Sequence, residues 1–134
     1  MRDDIIINKI EIIKRSIQRV EEEYQNTPQN LENFTKQDAI ILNVQRVCEA
    51  CIAMAFHCIK VNKWELPQES REGFKILEIH GAITSELSLS LQKMVEFRNI
   101  AVHNYQKLDR SIIQYVIECT LYDALKFSYV LLER

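Results

Sequence analysis

The chain has almost none of the residues that bend or terminate a polypeptide. Its 134 residues include only two glycines and two prolines. A fold made of many strands needs turn residues about every 8 to 12 positions, and this sequence does not supply them. Isoleucine, leucine, glutamate, lysine and glutamine are abundant instead. We therefore predict an all-α protein.

The chain also lacks a strong charge of either sign. Its formal net charge is -2 at pH 7, which excludes a globally basic nucleic-acid-binding surface. Positive side chains do cluster locally, whereas acidic ones dominate residues 21–23. The cluster consists of Lys93, Arg98, His103, Lys107 and Arg110. Any contact with nucleic acid is expected there, although a solvated surface of mixed charge accounts equally well for the pattern.

No membrane-spanning or secretory segment is evident. No apolar run approaches the roughly 18 to 20 residues that cross a bilayer, and the first residues lack a signal-peptide core and cleavage site. We expect a cytoplasmic protein without a membrane partner. In that compartment its four cysteines, at positions 48, 51, 58 and 119, stay reduced.

A metal site is not expected either. Cys48-x-x-Cys51 with His57 nearby suggests zinc, but all three lie on one predicted helix and no second close Cys or His pair exists. A structural zinc site needs four ligands that converge from separate turns. We interpret the cysteines as core residues and predict no metal and no cofactor.

The apolar periodicity predicts four long helices and one short helix. The first, over residues 3–24, has a continuous apolar seam formed by Ile6, Ile10, Ile13, Ile17, Val20 and Tyr24. A capping box from Thr35 to Asp38 opens the second, which runs to about Val61 and is apolar almost all round in its second half. We expect that helix to be the most buried.

Single polar residues predict where the remaining helices begin. Ser70 caps the short helix, which stops at Gly81, and Thr84 caps the fourth helix, which runs to about Asn104. Asp109 caps the last. Long helices with short connections favour an up-and-down bundle, so we predict one helical domain over residues 1–134.

An arginine, an imidazole and a phenol lie close together in residues 98–105, inside an apolar, helix-forming stretch. At about 100° per residue, a helix places Arg98 in the middle of an apolar stripe. The stripe consists of Leu87, Leu91, Met94, Val95, Ala101, Val102 and Tyr105. A permanent cation there needs a partner, a water-filled cleft or an anionic ligand. The position is therefore a candidate functional site.

Arg98 and His103 have the chemistry needed to cleave RNA without a metal. Imidazole, with an ordinary pKa of about 6.5, can take the proton of a 2′-hydroxyl near neutral pH. Guanidinium gives a permanent bidentate contact to the phosphate, and Asn99 is placed to orient the phosphate or the imidazole. A histidine cap at a helix end beside a structural ion pair is the alternative explanation.

The spacing of the two residues imposes a geometric condition. Residues five apart on a straight helix point about 140° away from each other. Arg98 and His103 converge only if the helix is distorted or ends within residues 99–103, if the arginine wraps round, or if two subunits combine their residues. Tyr105 returns to the face of Arg98 if the helix continues that far.

The pattern Arg98-x4-His103-x-Tyr105 resembles the R-x4-H-x-Y motif of the HepT-like HEPN toxins. The segments at residues 70–74 and 94–99 are similar to that family as well, and with the helix pattern the resemblance covers most of the chain. It implies a dimeric, metal-independent endoribonuclease, the toxin of a type VII-like toxin-antitoxin system, in which two motifs line a shared cleft.

The resemblance also implies roles for single residues and a protein partner. Arg98 and His103 are catalytic in this interpretation, with Asn99 in support, and RNA is the substrate. A minimal nucleotidyltransferase antitoxin neutralises the toxin by AMPylation of Tyr105. The added AMP would place negative charge and bulk beside the RNA-binding groove.

Two other hypotheses fit the same sequence. The domain is a non-catalytic HEPN module that binds nucleotide or docks a nucleotidyltransferase, with Arg98 holding phosphate and no turnover. Alternatively it is a purely structural dimerisation bundle. In that hypothesis Arg98 forms an ion pair with an acidic residue near Glu96 across the interface, and a structure with Arg98 fully paired and His103 buried would support it.

Overall fold

The computed structural model describes residues 3–134, and the elements within that range are helices and turns. The first four helices are α1 (Asp4–Tyr24), α2 (Phe34–Asn62), α3 (Ser70–Ile79) and α4 (Ser85–His103). A single 3-10 turn, Pro28–Glu32, lies between α1 and α2. A second, Tyr105–Lys107, follows α4.

The C-terminal helix is one continuous rod that contains an irregularity. α5 (Arg110–Tyr115) passes through a π turn (Val116–Thr120) into α6 (Leu121–Leu132), with helical backbone angles throughout. Counted as one, this rod makes the fourth long helix, and α3 is the short one. The all-α prediction with four long helices and one short helix is therefore confirmed.

Contacts between α1 and α2 show that these two helices run antiparallel. Asp3, just before α1, lies 2.8 Å from His57 near the end of α2. Glu23 near the end of α1 lies 3.9 Å from Lys36 in the first turn of α2. These contacts place opposite ends of α1 and α2 together, as the predicted up-and-down arrangement requires.

α2 is the central helix, as expected from its apolar second half. It packs against α1, α3, α4 and α6. Its buried side chains join the seam of α1 and the inner face of the C-terminal rod in one core. Phe74 of α3 and Phe127 of α6 meet edge to face within that core, with ring centroids 5.6 Å apart.

The length and composition of α2 also correct one expectation from the sequence. This helix is long and apolar enough to cross a bilayer, whereas no such stretch was expected. Its neighbours cover most of it, and 61% of the apolar window is buried inside the bundle. A helix buried on most sides is apolar all round for that reason alone.

Two predicted caps are wrong, and both errors matter for the site. α2 begins one residue before Thr35, and Asn33 caps it by accepting a hydrogen bond from the backbone N–H of Lys36 at 3.1 Å. Ser70 is the first residue inside α3 rather than its cap. Asp38 and Ser70 are therefore available for contacts with other helices.

The other predicted caps are confirmed. Thr84 accepts a hydrogen bond from the backbone N–H of Leu87 at 3.2 Å, and Asp109 accepts one from Ile112 at 3.0 Å. Thr84 determines where α4 begins, and Asp109 determines where the C-terminal rod begins. The motif residues lie between the two caps.

Gly81 ends the α3 segment in a left-handed conformation, with φ of +75°. We expect Gly81→Ala to lower the free energy of unfolding by about 1 kcal/mol, because an L side chain is strained at this φ. No atom lies within 4 Å of the added Cβ, so the cost comes from the backbone alone. Urea unfolding measures it. Gly81→Asn is the control, since asparagine tolerates this conformation better; equal stability of Gly81→Ala and the wild type would contradict the expectation.

Candidate functional site

α4 stays a regular helix through all of residues 98–103. The backbone N–H of Asn104 still donates to the carbonyl of Ile100 at 2.8 Å, and Asn104 itself then leaves the helix with φ of -154° and ψ of 60°. Arg98 and His103 therefore point about 140° apart on one unbroken helix. The explanation by helix distortion is wrong for this chain. Convergence has to come from the length of the arginine or from a second subunit.

Arg98 is held by side chains from two other helices. Its Nη1 donates to Oε1 of Glu49 on α2 at 2.9 Å, and its Nη2 donates to Oγ of Ser70 on α3 at 3.1 Å. Its Nε is buried and has no hydrogen-bond partner among residues 3–134. The side chain of Arg98 is 21% exposed and that of Glu49 is 56% exposed. The guanidinium is thus oriented by neighbours yet keeps donor capacity and access to solvent.

A cavity of about 630 Å³ lies beside this guanidinium, between the first turn of α3 and the second half of α4. Arg98 and Asn99 both contribute to its wall. Its lining consists of Glu69, Ser70, Arg71, Val95, Glu96, Arg98, Asn99 and Ile100. A cavity with a guanidinium in its wall is suited to a phosphate or another anion.

His103 is the last residue of α4 and is exposed to solvent. It is outside the lining of the cavity next to Arg98. A fully paired Arg98 and a buried His103 would support the purely structural hypothesis. Within this chain neither is found, because the imidazole is exposed and Nε of Arg98 has no partner among residues 3–134.

Tyr105 lies beyond the end of α4, in the 3-10 turn that follows. Its hydroxyl donates a hydrogen bond to the carboxylate of Asp38 on α2, and the side chain is 41% exposed. Burial and Asp38 together raise the pKa of Tyr105 to about 12. Tyr105 was expected to share the helical face of Arg98 only if the helix continued that far, and this condition is not met because α4 ends at His103. Val102, also assigned to the apolar stripe, is exposed.

The two carboxylates that contact the motif share one face of α2. Asp38 and Glu49 are eleven residues apart, which on a helix means about 16 Å along the axis and about 20° in direction. Asp38, near the start of α2, bonds Tyr105, and Glu49, further along α2, bonds Arg98. Since Tyr105 follows Arg98 in the chain, α2 runs antiparallel to α4 and supports the motif.

Sequence reasoning missed Asp38, Glu49 and Ser70. Glu49 had a signal, since it is an acid inside the apolar stretch from Val47 to Ile59. Asp38 had a weaker signal, because it occupies a capping-box position that usually has Glu or Gln. Ser70 had none beyond its apparent role as a cap.

The cysteines have no part in this site. Cys48 and Cys51 are buried in the core, where burial raises the pKa of Cys48 to about 12 and that of Cys51 well above its ordinary value. His57 is paired with Asp3. Within residues 3–134, no three or more His, Cys, Asp and Glu side chains gather as a group that could hold a metal ion.

Known proteins are similar to this chain in both sequence and fold. Residues 6–130 match the family described as ribonuclease HepT-like. The mRNA nuclease HepT of Shewanella oneidensis is 46% identical over 129 residues, which cover 96% of this chain and 97% of the relative.

Solved structures are similar over the same length. One is a toxin-antitoxin with AMP-PNP, with a TM-score of 0.94 and 44% identity over 98% of this chain and 100% of the solved chain. Another is a tri-AMPylated Shewanella oneidensis HEPN toxin in complex with MNT antitoxin, with a TM-score of 0.93 and 45% identity over 98% and 99% of the two chains. Since the family match and the identity extend over nearly the whole chain, the protein belongs to the ribonuclease HepT-like family.

Proposed function

We propose that this chain is the endoribonuclease toxin of a type VII-like toxin-antitoxin pair, a single HEPN-like domain over residues 1–134 that acts as a cytoplasmic homodimer without a metal or cofactor. The 46% identical relative is an mRNA nuclease, which supports RNA as the substrate. The observation that carries the proposal is the oriented guanidinium of Arg98 in the wall of a cavity, followed on the same helix by an exposed imidazole.

In the proposed reaction His103 takes the proton of a ribose 2′-hydroxyl. The 2′-oxygen forms a bond to the adjacent phosphorus, the bond from phosphorus to the 5′-oxygen breaks, and a proton goes to the departing oxygen. Arg98 stabilises the additional negative charge on the phosphorane, and Asn99 orients the phosphate. The products are a 2′,3′-cyclic phosphate and a 5′-hydroxyl.

A second copy of the chain resolves the angular mismatch within one copy. Arg98 and His103 diverge by about 140° on a regular α4, so one molecule does not direct both at the same phosphate. A two-fold axis beside α4 brings the His103 of one copy toward the Arg98 of the other. Val102 and His103 are exposed at the end of α4, where such a contact would form.

Neutralisation is assigned to Tyr105 and to a minimal nucleotidyltransferase. The phenol of Tyr105 is partly exposed, and Tyr105 follows His103 by two residues. A transferred AMP there adds a phosphodiester charge and an adenosine next to the groove, which repels and obstructs RNA. The solved tri-AMPylated HEPN toxin bound to an MNT antitoxin supports this assignment.

The decisive experiment uses the purified, unmodified protein and a labelled RNA in the presence of a metal chelator. We expect cleavage with 2′,3′-cyclic phosphate ends, and loss of cleavage after incubation with the nucleotidyltransferase, magnesium and ATP. Intact mass should then increase by whole AMP units, and peptide mapping should place them on Tyr105. An unmodified dimer that leaves RNA intact would contradict the proposal.

The same experiment tests the non-catalytic hypothesis, which one observation favours. His103 does not line the cavity that holds Arg98, so this cavity alone has an anion-binding group but no base. Under that hypothesis the protein binds nucleotide or the nucleotidyltransferase without turnover. Binding of labelled RNA or AMP in the absence of cleavage would support it.

A further inference from the structure

We propose that Asp38 is the proton acceptor for AMP transfer to Tyr105, so that the chain provides the general base for its own modification. The inference rests on the proposed function, which assigns Tyr105 as the modified residue. It concerns how that hydroxyl is selected and activated.

The hydroxyl of Tyr105 is already positioned against its acceptor. It donates a hydrogen bond to Oδ1 of Asp38, which lies in the regular backbone of α2. The phenol is attached to a short 3-10 turn, closed by the bond from the N–H of Leu108 to the carbonyl of Tyr105 at 3.1 Å. Both groups are therefore fixed by backbone structure rather than by long flexible side chains.

A second contact holds the same segment across the start of α2. Nη1 of Arg110, at the beginning of α5, donates to Oε1 of Glu32 at 3.0 Å, and Glu32 belongs to the 3-10 turn before α2. The residues from Tyr105 to Arg110 are thus attached to the α2 region at both ends.

The balanced reaction needs a base at this oxygen. A bond forms between Oη of Tyr105 and the α-phosphorus of ATP, the bond from that phosphorus to the bridging oxygen breaks, and pyrophosphate leaves. The phenol proton passes to Asp38. Full ionisation before attack is unfavourable, because burial and the adjacent carboxylate raise the pKa of Tyr105 to about 12. Transfer to Asp38 during attack avoids two neighbouring anions.

The carboxylate and the exposed area together distinguish Tyr105 from Tyr115 and Tyr24. Tyr115 is more exposed, at 54%, so exposure alone would favour it. Tyr24 has a carboxylate partner, Glu118, but is 3% exposed and so is inaccessible to an enzyme. Tyr105 combines a substantial exposed area with a carboxylate in contact with its hydroxyl. Tyr122 has the same combination, since it is 48% exposed and its hydroxyl donates to Oε2 of Glu21 at 3.3 Å, but it lies in α6, outside residues 98–105.

The test compares initial rates of AMP incorporation by the nucleotidyltransferase with magnesium and ATP. Asp38→Asn keeps the size of the side chain and can still accept a hydrogen bond, but its amide is not a base. We expect its rate at neutral pH to fall about 100-fold, within the range typical of general-base catalysis. Asp38→Glu should recover part of the rate. Glu11→Gln is the control, because it neutralises an exposed carboxylate on α1 away from the turn, and its rate should remain close to the wild-type rate.

A pH profile separates a base from a merely structural contact. The carboxylate that contacts the hydroxyl of Tyr105 is that of Asp38 of α2, and His103 and Lys107 are the titratable and charged residues beside it in sequence. Without Asp38 as acceptor, hydroxide has to remove the proton, so the rate of Asp38→Asn should rise steeply with pH. The wild-type rate should depend less on pH over the same range.

Failure of this inference differs from failure of the proposed function. No AMP on the wild-type protein would contradict the proposed modification itself. A wild-type protein that is modified while Asp38→Asn is modified at the same rate would overturn the role of Asp38 alone. A slow Asp38→Asn reaction with no gain at alkaline pH would also overturn it, since Asp38 would then only position the turn. Circular dichroism establishes that each variant is folded.

Discussion

Replacing His103 with alanine is expected to lower the rate of RNA cleavage by about 10²- to 10⁴-fold, the usual contribution of a general base. The imidazole is exposed at the end of α4, so its removal leaves the core intact and thermal stability nearly unchanged. Single-turnover cleavage of a labelled RNA measures the effect directly. Expression of the wild-type protein without its antitoxin should arrest growth, and His103→Ala should relieve that arrest.

His80→Ala is the matched control for His103→Ala. His80 is also an exposed histidine at the end of a helix, α3, but its Nε2 pairs with Glu65 at 2.6 Å, away from the motif. Its loss should leave cleavage within about twofold of the wild type, as expected for a surface substitution away from the site. Growth arrest by His103→Ala equal to that of the wild type would exclude His103 as the base.

Arg98→Ala is expected to reduce cleavage by about 10²- to 10³-fold, because it removes the fixed cation that stabilises charge in the transition state. Arg98→Lys should recover little of this activity. A lysine presents a single ammonium and cannot reproduce the fork that bonds Glu49 and Ser70 and still faces the phosphate. Rates under saturating RNA separate this loss from weaker binding.

The fold should survive the loss of Arg98. The side chain of Glu49 is 56% exposed, so water solvates its carboxylate once the guanidinium is gone. Arg71→Ala provides the control, since Arg71 lines the same cavity but pairs with Glu96 at 2.7 Å. That variant should retain most of its activity. If both Arg98 variants stay toxic, the site has been assigned to the wrong residue.

The helices could be predicted from the sequence because burial imposes a period of 3.6 residues. Each seam residue of α1 from Ile6 to Tyr24 is buried. The C-terminal rod has a buried face at the same spacing, formed by Ile113, Val116, Ile117, Ala124, Phe127 and Leu131. Periodicity also gave the angle of about 140° between Arg98 and His103. The regular backbone of α4 in this region confirms that angle.

The polar contacts of the site could not be predicted in the same way. An Asp or Ser near a helix start can cap that helix locally or bond a distant side chain, and sequence spacing does not distinguish the two. Asp38 and Ser70 both bond distant side chains: Asp38 bonds Tyr105, and Ser70 bonds Arg98. Tyr105 itself left the predicted stripe because the C-terminus of α4 came two residues before it.

The π turn at Val116–Thr120 has a consequence for relatives of different length. A turn with i to i+5 bonds holds one residue more than the α-helical turn that it replaces. Deleting that residue would rotate everything N-terminal to it by about 100° relative to α6. Arg110 would then face away from Glu32, and the segment with Tyr105 would lose an anchor. The additional residue of the π turn therefore sets the orientation of the segment that contains Tyr105, and homologues should be aligned with that residue in view.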